Sequence, residues 1–461
     1  MKPSITRTAV LLALATGSIV HAYQVRSDMI LTMADGQATV IDGYMEVGED
    51  GRIVAIEAGE PPASSSEEIV DARGRIVMPG FVSGHNHLWQ SAFRGLGADQ
   101  ELYGWLKSLH WTFGRHFETG DMYAFTLHGA LDQMVNGITT TLNHSQTIAP
   151  SYEDYMEQFA AEVDAGQHFI YSYVLDSDEP DVEARKAKLV DLIAETEALP
   201  DGHPCLGFGL HGVGIYRGAD KMSEEVSVAK ELGLDMQVHY LEEKAESLKS
   251  GQSNFQVMKE GGAVWDGLVY AHFIHVTDEI LNVSAAAGAK MIWNPLSNGR
   301  LASGLADVPR YIDQGLQVGL GVDGAASADI ADPFQNMRMG MYALRMRDSD
   351  AGIMSCYQIL EMHTLKTAEV LEVEDQVGSL APGKYADFLI IDPVSPVFDP
   401  YATLVFASDA SNIESVWVRG VKQVEAGEVL KHDLPELRTE VAERVARIAA
   451  AAKNTKPEDH M

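Results

Sequence analysis

Eight apolar runs, each about one strand long, recur along the middle of this chain with helix-length stretches between them. They lie at 75–82, 137–143, 168–174, 206–211, 234–239, 267–272, 289–293 and 316–322. Continuous apolar runs mark strands buried on both faces, and strands separated by helices pair in parallel. Eight such units over roughly 300 residues predict a closed (β/α)8 barrel of the TIM type. A barrel of that kind carries its chemistry at the C-terminal ends of the strands. The residues at the end of each run therefore matter more than the run itself.

The first run leads into His85-Asn86-His87. In an extended chain residues i and i+2 face the same side, so both imidazoles can reach one point in space. The second run leads into Asn143-His144, the fourth ends at His211, the fifth at His239, the sixth at His272 and the eighth at Asp323. A lone His-x-His is a weak pattern. Polar groups gathered at one end of successive strands carry more weight, although His144 and His211 can also be read as satisfying backbone groups at the rim. His85, His87, His239 and Asp323 together suit one divalent ion, Zn²⁺ or alternatively Fe²⁺. Such an ion brings the pKa of a bound water toward neutrality. Glu242, three residues past His239, is placed to take that water's proton and return it to a leaving group. His272 can donate to a ring nitrogen or steady developing charge.

The flanks read differently. Residues 23–74 alternate with a period of two and carry hairpin signals at Asp35-Gly36 and Asp50-Gly51, and strand-like runs return in 380–430. Neither end has room for a core of its own, so the two predict one composite β-sandwich domain closing over a barrel spanning 75–379. Residues 431–461 read as a helix and a polar tail. At the start, Lys2 and Arg7 precede the apolar stretch Thr8 to Val20, and Val20-His21-Ala22 resembles a small-residue cleavage site. Residues 1–22 thus predict a secretory signal peptide, and with it a periplasmic or secreted protein; a leader of another kind would leave it cytoplasmic. A formal net charge of −33 repels nucleic acid and anionic membranes and leaves a small molecule as the expected partner. Two cysteines, Cys205 and Cys356, make no disulfide framework.

These motifs together resemble the amidohydrolase superfamily, in its one-metal branch of S-adenosylhomocysteine- and cytosine-type deaminases and triazine chlorohydrolases. The resemblance runs from Asp28 to Glu428. It is carried by Pro79-Gly80-Phe81 ahead of His85-Asn86-His87 and Arg94-Gly95, by His239-Tyr240-Leu241-Glu242, and by Ala271-His272. Gly321-Val322-Asp323-Gly324 and the return segment from Gly378 to Asp387 complete it. It implies that His85, His87, His239 and Asp323 hold the metal and that Glu242 and His272 handle protons. The implied reaction is deamination of an amino-substituted purine, pyrimidine or triazine, with loss of chloride, an alkylamine or an amide amine at the same site as the alternative. Two-metal relatives carry a lysine at the end of strand four, where this chain has His211, which supports a single ion. By the same resemblance Gln90, Trp105, His144 and His211 fall among the substrate contacts. Trp293, in Trp293-Asn294-Pro295, departs from the family pattern and is expected to narrow the pocket or stack on the ligand. A homodimer or larger assembly is common among such proteins.

Overall fold

The computed structural model describes residues 20–34, 36–61, 68–146, 151–175, 181–199, 202–244 and 251–453. All of the leader read from the sequence except Val20-His21-Ala22, and the tail after Lys453, lie outside the described residues. Among the described residues no helix is long and apolar enough to cross a membrane.

Eight parallel strands form the barrel in unbroken sequence order: Phe81–Asn86, Ile138–His144, His168–Val174, Cys205–His211, Met236–Tyr240, Leu268–His272, Lys290–Trp293 and Gln317–Leu320. The seam between the first and last strands is bridged where the chemistry lies. The Asp323 N–H donates to the His85 carbonyl at 3.0 Å, and the Val322 N–H to Ser83 Oγ at 3.0 Å. Helices cover the outside, several with side-chain caps at their starts. Ser151 and Asp154 form a reciprocal capping box at the head of Tyr152–Ala165, and Thr277 caps Asp278–Ala286. The floor of the barrel is closed by the helix Leu365–Val370 and an apolar cluster of Val82, Leu142, Ile170, Ala368, Val373 and Tyr385.

The two chain ends build a second, mixed sheet of nine strands. Its own core includes Val25, Met45, Val47, Ile53, Phe388, Ile390 and Trp417. One boundary differs from the sequence reading. The apolar run 75–82 is two strands rather than one. Ile76–Pro79 belongs to the small sheet, antiparallel to Phe388–Ile391, and only Phe81–Asn86 belongs to the barrel. The break is at Gly80, where a Cβ would stand 2.1 Å from Thr139 Oγ1. Only glycine lets the chain pass that close to the second barrel strand as it leaves one sheet for the other. The small domain therefore leads directly into the strand that carries His85.

The helix Leu434–Lys453 returns along Asp121–Val135. It is held there by Arg444 and Arg447, both paired with the buried Asp121. Both cysteines are free.

Candidate metal centre

The imidazoles of His85, His87, His239 and His272 and the carboxylates of Asp323 and Glu242 meet at the C-terminal mouth of the barrel, with His144 and His211 beside them. His85 lies inside the first strand and His87 just past its end, and both rings point inward while Asn86 between them turns to Ser83, Thr141 and Gln133. His87 Nε2 stands 3.2 Å from His239 Nε2, the two rings being nearly parallel. Asp323 Oδ1 lies 3.6 Å from His85 Nε2 and 3.7 Å from His87 Nε2. The ligand atoms of His85, His87 and Asp323 all fall within 4.8 Å of one another, as do those of His85, His239 and His272.

The protons on two of these rings can be assigned from their partners. His87 Nδ1 is 2.9 Å from the His144 carbonyl, which can only accept, so Nδ1 donates and the Nε2 of the neutral ring carries a lone pair. His85 Nδ1 is 2.6 Å from Gln237 Oε1, and its Nε2 is buried without any hydrogen-bond partner. A buried basic nitrogen left without a partner is costly. His87 Nε2 and His239 Nε2 face each other at 3.2 Å across the same pit, close enough for one ring to donate to the other and placed to converge on one ion. Three such nitrogens and a carboxylate oxygen fit a divalent cation of the zinc or ferrous type. Burial pushes these rings below the ordinary imidazole range, His87 to about 4, and His272 and His211 to about 3. They are therefore neutral at physiological pH. Burial works to raise Asp323, but the imidazoles of His272, His85 and His87 outweigh it and hold the carboxyl at about 2.

The backbone here is strained. Leu241, His272, Phe273 and Asp323 all adopt positive φ, between 46° and 74°, at or just past the ends of their strands. Non-glycine residues in that region cost of order 1–3 kcal/mol each and cluster at functional sites. The turn at Asp323 closes over its own carboxylate, which accepts from the Gly324 N–H at 2.7 Å. The turn after His239 brings Glu242, 5 % exposed, to 3.8 Å from His272 Nε2. Asn298 Nδ2 donates to His272 Nδ1 at 2.9 Å, which leaves the ring proton on Nε2, facing Glu242.

Above the pit is a pocket of about 400 Å³. Its floor is His87, His239, His272, Glu242 and Asp323, and its walls include Trp105, Tyr103, Tyr155 and Leu301. Gln90 lines it with a buried Oε1 that has no partner, and a Cβ at Gly324 would stand 1.8 Å from that oxygen. Trp105 presents its ring to the pocket while its Nε1 donates to the Ala326 carbonyl at 2.8 Å. His211 also reaches the pocket.

Two substrate contacts expected from the sequence are not in that wall. His144 is fully buried behind it, against His211 with ring centroids 3.7 Å apart, and bonded to Gln237. Trp293 faces away from the barrel interior. Strand residues alternate between faces, and on this strand Ile292 packs inward with Val269 and Val370. Trp293 instead lies on Gly340 of the outer helix Pro333–Asp348, where a Cβ would stand 2.6 Å from the indole. Trp293→Phe is therefore expected to leave KM within about twofold and to cost roughly 1–3 kcal/mol of stability. Steady-state kinetics beside thermal unfolding checks both.

Sequence reasoning missed Gln237 and Asn298. Gln237 precedes His239 by two positions on one strand and so faces the same side, a signal that was available. Asn298 comes from the short helix Pro295–Arg300 and has no spacing that announces it.

Comparison with known proteins bears on the family and the fold. The model of the amidohydrolase family matches residues 76–422. A 5-methylthioadenosine/S-adenosylhomocysteine deaminase of Desulfitobacterium hafniense (strain Y51) is 28 % identical over 430 residues, covering 91 % of this chain and 97 % of that one. A zinc-bound adenosine deaminase from Xanthomonas campestris superposes with a TM-score of 0.80 at 21 % identity, over 93 % of this chain and 98 % of the other. A zinc complex of atrazine chlorohydrolase from Arthrobacter aurescens TC1 gives a TM-score of 0.79 at 21 % identity, over 92 % and 100 %. The chain belongs to the amidohydrolase family.

Proposed function

We propose that this protein is a metal-dependent deaminase that replaces the exocyclic amine of an N-heterocycle by oxygen, with adenosine-like purines as the first substrates to try and pyrimidines and aminotriazines next. The overall change is R–NH2 + H2O → R–OH + NH3. The observation that carries the reading is the pairing of a cation-competent pit with Glu242 and His272, 3.8 Å apart at its edge and both open to the same pocket. The donor set His85, His87, His239 and Asp323 would hold one ion, zinc before iron on the strength of the zinc-bound relatives. When bound, that ion would acidify a water and orient it toward the ring carbon.

The chain's own groups do the rest. Glu242 takes a proton from the water and delivers it to the departing amine, so that ammonia rather than an amide anion leaves. His272 holds a proton on Nε2 and directs it at the reacting centre, where charge develops. Trp105 offers a flat face to a planar ring. The burial of the pit excludes bulk water, which strengthens each of these electrostatic contacts.

The leaving group is the point to test, because a chloro-substituted ring would be attacked at the same carbon. Paired 6-amino- and 6-chloropurine ribosides, and paired amino- and chlorotriazines, separate the two. The expected result is ammonia released from an amino ring with kcat/KM at least tenfold above chloride release from its partner. Chloride release alone would make the protein a dehalogenating hydrolase instead.

A further inference from the structure

Gln237 sits directly beneath the metal pit, and its three hydrogen bonds fix its orientation. One face of its amide is 2.8 Å from the Gly84 carbonyl. A carbonyl can only accept, so the amide nitrogen must lie on that side and the amide oxygen on the other. That oxygen is 2.6 Å from His85 Nδ1 and 3.0 Å from His144 Nδ1. An amide oxygen can only accept, so both imidazoles must donate from Nδ1. Both neutral rings are then left with the lone pair on Nε2, and each of these nitrogens is buried without a hydrogen-bond partner. One glutamine thus sets the tautomer of two histidines from two different strands.

Packing from below contributes little to this arrangement. Gln237 lines a cavity of about 460 Å³ that reaches from the barrel interior to the outer helices Val182–Glu197 and Ala219–Leu232. The inner face of the fourth strand there carries Gly207 and Gly209, and a Cβ at Gly207 would meet nothing within 4 Å. A TIM barrel normally fills its interior with layers of side chains. Here the layer below the site is open on one side, and hydrogen bonds rather than contacts hold the amide in place.

We infer that Gln237 is a positioning residue that locks His85 and His144 in the Nδ1–H tautomer, so that His85 presents a free Nε2 to the metal without tautomer exchange. The inference rests on the reading of His85 as a ligand but not on the identity of the substrate. Partners of this kind commonly contribute 10–100-fold to metal affinity.

Two readouts test it, neither of them activity. In metal-free wild-type protein labelled with ¹⁵N-histidine, the His85 and His144 resonances are expected to show protonated Nδ1 and unprotonated Nε2. A protonated Nε2 on His85 overturns the inference, whatever any variant does. In the second, Zn²⁺ alone is titrated against a competing chelator. Gln237→Met is expected to weaken binding about 10–100-fold and to let the Nε2–H tautomer appear, in protein whose folded fraction is measured alongside. Gln237→Glu keeps an oxygen toward both imidazoles, with its other oxygen protonated against the Gly84 carbonyl, and is expected to restore both the tautomer and binding to within about threefold. Equal weakening by Met and Glu, or none by Met, overturns it. Wild-type protein that binds no Zn²⁺ would sink the metal reading instead, while the tautomer measurement would still decide the role of Gln237.

Discussion

Glu242→Gln is expected to lower kcat for deamination by about 10²–10⁴-fold, with KM for the heterocycle changed by less than about threefold. Glutamine has the same shape as glutamate and keeps a hydrogen-bonding oxygen, but it cannot accept a proton and pass it on. The attacking water has to lose a proton and the amine has to gain one, and Glu242 is the carboxylate beside His272 at the edge of the pit. Asp323, the other carboxylate there, is committed to the imidazoles and the Gly324 N–H. Glu242 is not among the four residues read as ligands, so metal content should stay at the wild-type level. Loss of metal along with activity would mean that Glu242 is itself a ligand. Full activity in the variant would rule out its shuttle role.

Asp323→Ala is expected to remove both metal and activity, the latter by more than about 10³-fold, since the water is left without its acidifying ion. The carboxylate is the only negative charge among four proposed donors, and it is buried at 5 % exposure. Without it a dication would be held by neutral rings in a buried site, where an uncompensated charge is expensive. Chelation of the wild-type protein should have the same effect and be reversed by adding Zn²⁺ or Fe²⁺, whereas the variant should not recover with either. Metal analysis alongside ammonia release in the same samples checks both halves. The substitution also removes the Gly324 N–H partner at a strained turn, so the folded fraction has to be measured in parallel.

How much of the molecule was legible in its sequence depended on what kind of force fixes each feature. The barrel was legible because parallel strands are buried on both faces and leave uninterrupted apolar runs. The histidines and Asp323 were legible because they end those runs. The division of 75–82 into two strands was hidden, since Ile76 to Val82 is apolar throughout except for Pro79 and Gly80. The division depends on the close approach of Gly80 to Thr139, a tertiary contact. Trp293 was misplaced because its departure from the family pattern at the end of strand seven suggested the pocket, whereas the alternation of the strand sends it outward onto Gly340. His144 was placed one layer too high: its ring meets Gln237 and His211 beneath the pocket wall. Gln237 is a neutral residue in an ordinary strand, and only its partners reveal what it does.

The most direct test of the metal centre is a crystal structure with anomalous diffraction collected above and below the absorption edge of the bound metal. The expected result is one peak at the barrel mouth, within about 2.0–2.3 Å of Nε2 of His85, His87 and His239 and of a carboxylate oxygen of Asp323. Glu242 and His272 should flank the position without touching the ion. A peak ligated by Glu242 or by the His144–His211 pair in place of these four, or no peak in protein that releases ammonia, would contradict the assignment.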